Sequence, residues 1–213
     1  MTLTKTVKAL ATRLTCLCLL LPLTACALSG QAIQGHVLEE GTHKPIPGAI
    51  VIVRWVGSVS KIVDAQNVCV HVESTLTDAQ GRYHTPAWSA PSTVGPSFMV
   101  SDLEPSMTAY HPGYTFATIP SEKDTVWLKP FVGSRGERLK YLESFTGMQC
   151  GKREDYAKQL IPLYRAIYEE ARRIAETQED KHAVNNRLRD LEEMELGYEK
   201  SWENWRVRER DLK

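Results

Sequence analysis

The chain has 213 residues, 42% of them hydrophobic and 24% charged, with 26 Lys and Arg against 26 Asp and Glu. Such a composition supplies a core for one domain with an extension, or for two small domains, and it excludes wholesale disorder. The balanced charge also excludes the basic surplus through which proteins hold nucleic acid by its phosphates.

The first 25 residues pass from a basic start at Lys5, Lys8 and Arg13 into an apolar stretch at 14–23. A helix needs about 20 apolar residues to cross a bilayer, so this stretch is too short for a span and has the order of a secretory leader. Leu23-Thr24-Ala25-Cys26 then resembles the bacterial lipobox. The resemblance implies cleavage before Cys26, which becomes the N-terminus and carries diacylglycerol and an N-linked acyl chain. Each buried methylene contributes ~0.8 kcal/mol of membrane affinity, and more than one chain holds firmly. The alternative is an ordinary leader in which a cysteine merely follows a small residue. Ala27 stands where an aspartate favours inner-membrane retention in enteric-type lipoproteins, so the outer membrane is expected, on either face. Residues 26–31 are then a lipidated tether, and the mature chain carries 23 basic and 26 acidic side chains.

Cys16 and Cys18 leave with the leader and Cys26 takes lipid, so Cys69 and Cys150 remain. An oxidising compartment favours a disulfide between them, closing a loop of ~80 residues and stabilising the fold by up to ~4–5 kcal/mol. Two separately buried thiols are the alternative, which spacing alone does not exclude.

Residues 32–132 read as a run of short strands. Ile33, Gly35 and Val37 alternate with Gln34 and His36 at 32–38, and Pro45, Pro47 and Gly48 punctuate the turn that follows. Apolar side chains fill both faces at 49–56, as in an interior strand. A loop or weak strand around 61–63 precedes a strand at 68–77. Asp78-Ala79-Gln80-Gly81 is a turn, from which 82–88 returns as a hairpin partner with Tyr83 on the core side. Strands at 97–103 and 125–128 follow, with a tight turn at 109–114 between them. About seven short strands at this spacing predict a two-sheet sandwich.

The pieces Gly35-His36-Val37, Pro45-Ile46-Pro47-Gly48-Ala49, Thr77-Asp78-Ala79-Gln80-Gly81-Arg82-Tyr83 and Pro112-Gly113-Tyr114 together resemble the carboxypeptidase regulatory-like domain, of the prealbumin-like or transthyretin-like fold. The match covers about 33–130. It implies a seven-stranded Greek-key β-sandwich and a module that is usually non-catalytic, accompanying metallocarboxypeptidases, preceding outer-membrane transporters or standing in surface proteins. Pro47, Gly48, Asp78, Gly81, Tyr83, Gly113 and Tyr114 are its turn and core positions, without a catalytic role. The insert at 57–67 departs from the pattern.

Residues 133–213 read as helical, which makes the chain mostly β with an α extension. Leu139, Leu142 and Phe145 mark a short helix at 137–145 facing the sandwich, and a helix at 154–177 carries a stripe from Tyr156 to Ala175. Pro162 either kinks that helix or requires it to begin near Ile161. A second stripe at 180–196 predicts a helical hairpin, with Gly197 as its stop. Tyr198, Trp202 and Trp205 continue at helical spacing; docking on the body is expected, with a partner or headgroup surface as the alternative.

Chemistry is sparse. A hairpin of 68–77 with 82–88 puts His71, Glu73 and His84 on one face, but pairing Thr77 with Arg82 sets His71 opposite Trp88 and His84 opposite Thr75. With no HxH or HExxH spacing, neither a metal site nor a cofactor is expected. No GxSxG elbow occurs, and the C-terminal Tyr-Arg-Gly-Ser signature of transthyretin-like hydrolases is absent. Glu169-Glu170 and Glu192-Glu193 read as solvated ion-pair surfaces. The expectation is a non-enzymatic, lipid-anchored envelope protein that binds the membrane through Cys26 and a protein partner through its surface. The alternative is a lipoprotein that recognises a glycan or peptide through loops at one end of the sandwich.

Overall fold

A computed structural model describes residues 27–60, 65–91, 100–120, 124–145, 150 and 154–212. Cys26 and 61–63 lie outside them. The described chain is β-rich with an α-helical C-terminal region, and it divides into two units. β1 (Ala27–Gly30) pairs with β6 (Trp88–Pro91), with 27–29 and 89–91 in the small unit, so the expected tether contains a strand.

The large unit holds a three-stranded sheet of order β5-β2-β9 and a four-stranded sheet of order β4-β3-β7-β8. The first contains β2 (Ile33–Glu39), β5 (Arg82–Thr85) and β9 (Thr125–Leu128). The second contains β3 (Ile50–Ser60), β4 (Ala65–Leu76), β7 (Val100–Tyr110) and β8 (Ala117–Pro120). Alternation explains their shared interior: Val37, Tyr83, Val126 and Leu128 of one sheet and Val51, Val53, Met107 and Ala109 of the other form one buried cluster. β3 is apolar on both faces because its other row, Ile50 and Ile52, packs in a second cluster with the helices.

Several expectations are corrected. The turn at Asp78 is not a hairpin, because β4 pairs with β3 while β5 pairs with β2, Gln34 facing His84. Thr77 directs the crossing: its hydroxyl donates to Ile46 O at 2.7 Å and accepts from Ala49 N at 2.8 Å. β2 and β9 run parallel, so the layers are not wholly antiparallel. The return strand is split into β5 and β6 around Pro86, which fixes φ and has no N–H to donate. Residues 57–60 and 65–67 of the insert continue the β3–β4 ladder, with register shifts near Val56. β7 extends to Tyr110, through the polar and proline positions that obscured it.

Four helices follow: α1 (Arg135–Glu143), α2 (Glu154–Ile174), α3 (Gln178–Leu196) and α4 (Tyr198–Asp211). Ser134 starts α1 through a capping box with Glu137, and Thr177 starts α3 through one with Asp180. α2 starts at Glu154 as expected and runs through Pro162, whose ring is exposed, so it does not begin near Ile161, and it ends at Ile174 rather than at 177. The hairpin is extended by α4, which folds back on α3 after Gly197 at φ 86°. No helix among the described residues is long and apolar enough to cross a membrane.

Candidate functional site: a sheet-face cleft and the helix anchor behind it

The outward face of the three-stranded sheet is polar because the alternate residues of its strands fill the core. In register across it stand His84 and Gln34, then Arg82, His36 and Thr125, then Leu38 and Trp127. Gln34, His36, Arg82, His84, Asp124 and Thr125 line a cleft of about 840 Å³, which Thr75, Leu76 and Asp78 border from the neighbouring sheet and turn. Trp127 is 41% exposed, and His43, at φ 60°, holds its ring against the indole at 4.8 Å.

Within the cleft the strongest charges are internally satisfied. Asp78 accepts from Gln80 N at 2.9 Å, Arg82 N at 2.8 Å and Arg82 Nε at 2.9 Å. The Arg82 backbone N–H, with lesser help from its side chain and Gln80, holds the Asp78 carboxyl below the usual carboxylate range. Tyr83 lies beneath, donating to Met107 Sδ at 3.3 Å, and burial followed by the Asp124 charge pushes its phenol up to about 12. Gly35 is demanded by close approach: a Cβ there would lie 2.0 Å from Asp124 O and 2.6 Å from the Tyr83 hydroxyl. Gly81, at φ +70°, allows the turn to pass Val37 O.

The other signature positions are structural. Pro47 is exposed in the turn before Gly48, whose N–H donates to Thr77 O. Tyr114 donates to Glu39 at 2.6 Å, and Gly113 N–H donates to Glu170 at 3.0 Å. That glutamate is the centre of a network the sequence reading assigned to solvent. Glu170 is 4% and Arg138 5% exposed, and they form two hydrogen bonds of 2.9 and 2.8 Å. Tyr110 donates to the same carboxylate, and Arg138 also donates to Tyr114 O at 2.7 Å. Burial opposes the charge on Glu170, but the hydrogen bonds from Arg138 and Tyr110 outweigh it and hold the carboxyl low. Burial, and then the neighbouring carboxylate, push the Tyr110 phenol up.

His71 and His84 lie on different sheets. His71 stacks on Trp88 at 4.2 Å and sits 2.9 Å from Glu73. No group of three or more His, Cys, Asp or Glu among the described residues could hold a metal ion. Beside His71 the structure joins Cys69 to Cys150, their Cα atoms 4.9 Å apart. Trp205 donates to Asn186 at 3.0 Å, and Trp202 lies under Arg189 at 4.6 Å, so both indoles dock against α3.

The chain matches no protein-family model and no curated protein. Among solved structures it is similar to a 9R-lipoxygenase from Cyanothece PCC8801, at 12% identity over 72% of this chain, with a TM-score of 0.30. The chain spans 26% of that enzyme's length. It is also similar to an alternative pilotin from the type II secretion system of Vibrio cholerae, at 18% identity over 48% of this chain and 98% of the pilotin, with a TM-score of 0.25.

Proposed function

We propose that the chain is a non-enzymatic protein of the bacterial cell envelope, lipid-anchored at Cys26 and acting as a structural or protein-interaction module. Its body is a carboxypeptidase regulatory-like domain, a Greek-key sandwich of the prealbumin-like kind. The sheet orders support that fold: β2 to β3 and β4 to β5 cross between the two layers, and β7 returns to pair with β3. The Cys69–Cys150 link belongs to the same reading, since a disulfide persists in an oxidising compartment.

One observation carries the functional part. The buried charges Arg138, Glu170 and Arg187 bind partners that fix helix to sheet or helix to helix, and none of the three lines the sheet-face cleft. Chemistry ordinarily gathers ionisable groups in a pocket; here the buried ones are fastened inside a scaffold. Contacts with other molecules then fall to the surface, where Leu196 and Tyr198 stand 54% and 63% exposed around the α3–α4 corner. A photo-crosslinking side chain placed at Tyr198 in intact cells should yield one recurrent protein adduct. Diffuse labelling from Tyr198 and from other exposed positions alike would refute a dedicated protein partner.

A second reading, a ligand-binding lipoprotein, is favoured by the cleft on the three-stranded sheet. It places recognition on a sheet face rather than on the end loops.

A further inference from the structure

We propose that the outward face of the three-stranded sheet binds carbohydrate, with a sugar ring on Trp127 and the neighbouring rings extending into the cleft lined by Gln34, His36 and His84. The proposal rests on the ligand-binding reading and gives that reading a ligand class and a place. Trp127 and Thr125 share the outer face of β9 while Val126 and Leu128 are fully buried, so the indole is excluded from the core by register. A half-exposed tryptophan braced by His43 offers a flat apolar surface at a fixed angle. Two residues along the strand, ~7 Å away, Thr125 opens the cleft.

Charge selects the ligand. Arg82, the guanidinium lining the cleft, donates Nε–H to Asp78 at 2.9 Å and an Nη–H to Gln80 at 3.3 Å, so part of its fork is turned back on its own turn and its charge is offset by the adjacent carboxylate. Beside that pair stand an amide, two imidazoles, the hydroxyls of Thr75 and Thr125 and the Asp124 carboxylate. Such a set gives and accepts hydrogen bonds across a neutral, hydroxyl-rich molecule. The C–H face of a pyranose is apolar and complements the indole, whereas its hydroxyls complement the cleft. The cleft volume is that of an ordinary small-molecule site.

Backbone geometry disfavours the peptide half of the alternative. Capture of an extended peptide by strand addition needs free N–H and C=O groups on an edge. On β4, Ser74 N–H donates to Gln159 at 3.1 Å and Val70 O accepts from Tyr156. On β5, Arg82 N–H donates to the Asp78 carboxylate and Arg82 O accepts from Asp78 N–H. These backbone groups of β4 and β5 are thereby taken, while the face stays open.

The glycan strand of a cell wall and the oligosaccharide of an envelope lipid share this chemistry. Calorimetric titration of the full-length chain, solubilised in detergent, with peptide-free wall glycan strands and separately with delipidated lipopolysaccharide core oligosaccharide distinguishes the sources. Binding to at least one is expected, with Trp127→Ala weakening it tenfold or more and Val207→Ala, at an exposed position on α4, leaving it unchanged; both variants should melt within a few degrees of the parent. If a probe binds equally well to Trp127→Ala, the site is wrong although the ligand-binding reading stands. If neither probe binds at millimolar concentration, the carbohydrate proposal fails, and a peptide ligand is what the ligand-binding reading has left.

Discussion

Glu170 and its neighbour Glu169 separate on the helix by one step of about 100°, and that step decides their fates. Glu169 faces solvent and pairs with Arg172 at 2.7 Å, whereas Glu170 is buried against Arg138. The signal for burial was in the sequence, because Leu163, Ile167, Glu170 and Ile174 follow one another at helical spacing along the stripe. Its partner was not, since Arg138 lies 32 residues away and only tertiary packing brings it near. Replacing Glu170 with Ala leaves a buried guanidinium without its carboxylate, so urea unfolding should show a loss of about 3–5 kcal/mol. The pH dependence follows from the lowered carboxyl. A folded carboxyl held below the unfolded value of about 4.3 contributes stability above that value and loses it as pH falls through the folded one. Glu170→Gln should therefore flatten the acid-side decline below about pH 4, even though it lowers stability at neutral pH. At Gly35 the prediction is steric: Gly35→Ala must displace β2 from Asp124 O or move Tyr83, and a fall in melting temperature with broadening of the β2 and β9 amide signals is expected.

At the scale of elements, alternation was legible and connections were not. The inward rows of β2, β3 and β9 follow directly from their period of two, whereas the capping box of Ser134 with Glu137 starts α1 at Arg135, two residues before the expected start at 137. The crossing after β4 was misread because an Asp-x-x-Gly turn suits a hairpin and a crossover alike. What separates them is Thr77 bonding to Ile46 and Ala49, a contact spanning about thirty residues. The outward sheet face went unread for the same reason, since His36, His84 and Trp127 belong to three strands whose adjacency is set by sheet order. The covering of β4 by α2 is another long-range product. Tyr156 and Gln159 bond its edge and Cys150 lies beside it, which blocks pairing with another chain. If the disulfide holds that cover in place, Cys69→Ser should lower stability by up to about 4–5 kcal/mol and change mobility on a non-reducing gel. Unchanged stability and mobility would show that the link does not staple the helices.

For the whole molecule, the inferences about compartment converge on the chain's beginning. A disulfide persists in an oxidising space, and the proposed protein partner and proposed carbohydrate belong to the envelope, so all three proposals rest on the lipobox-like Leu23-Thr24-Ala25-Cys26. The body has buried ions that fasten helices to a sheet, and the proposed function assigns its work to surfaces held near a membrane. Mass spectrometry of the N-terminal peptide, paired with membrane fractionation of the parent and Cys26→Ala, tests that dependence directly. The account predicts a mature chain beginning at an acylated Cys26 in the membrane fraction, with Cys26→Ala unacylated and lost from it. An unmodified Cys26 in a chain that still sediments with membranes, or a parent chain found only in the soluble fraction, would contradict it.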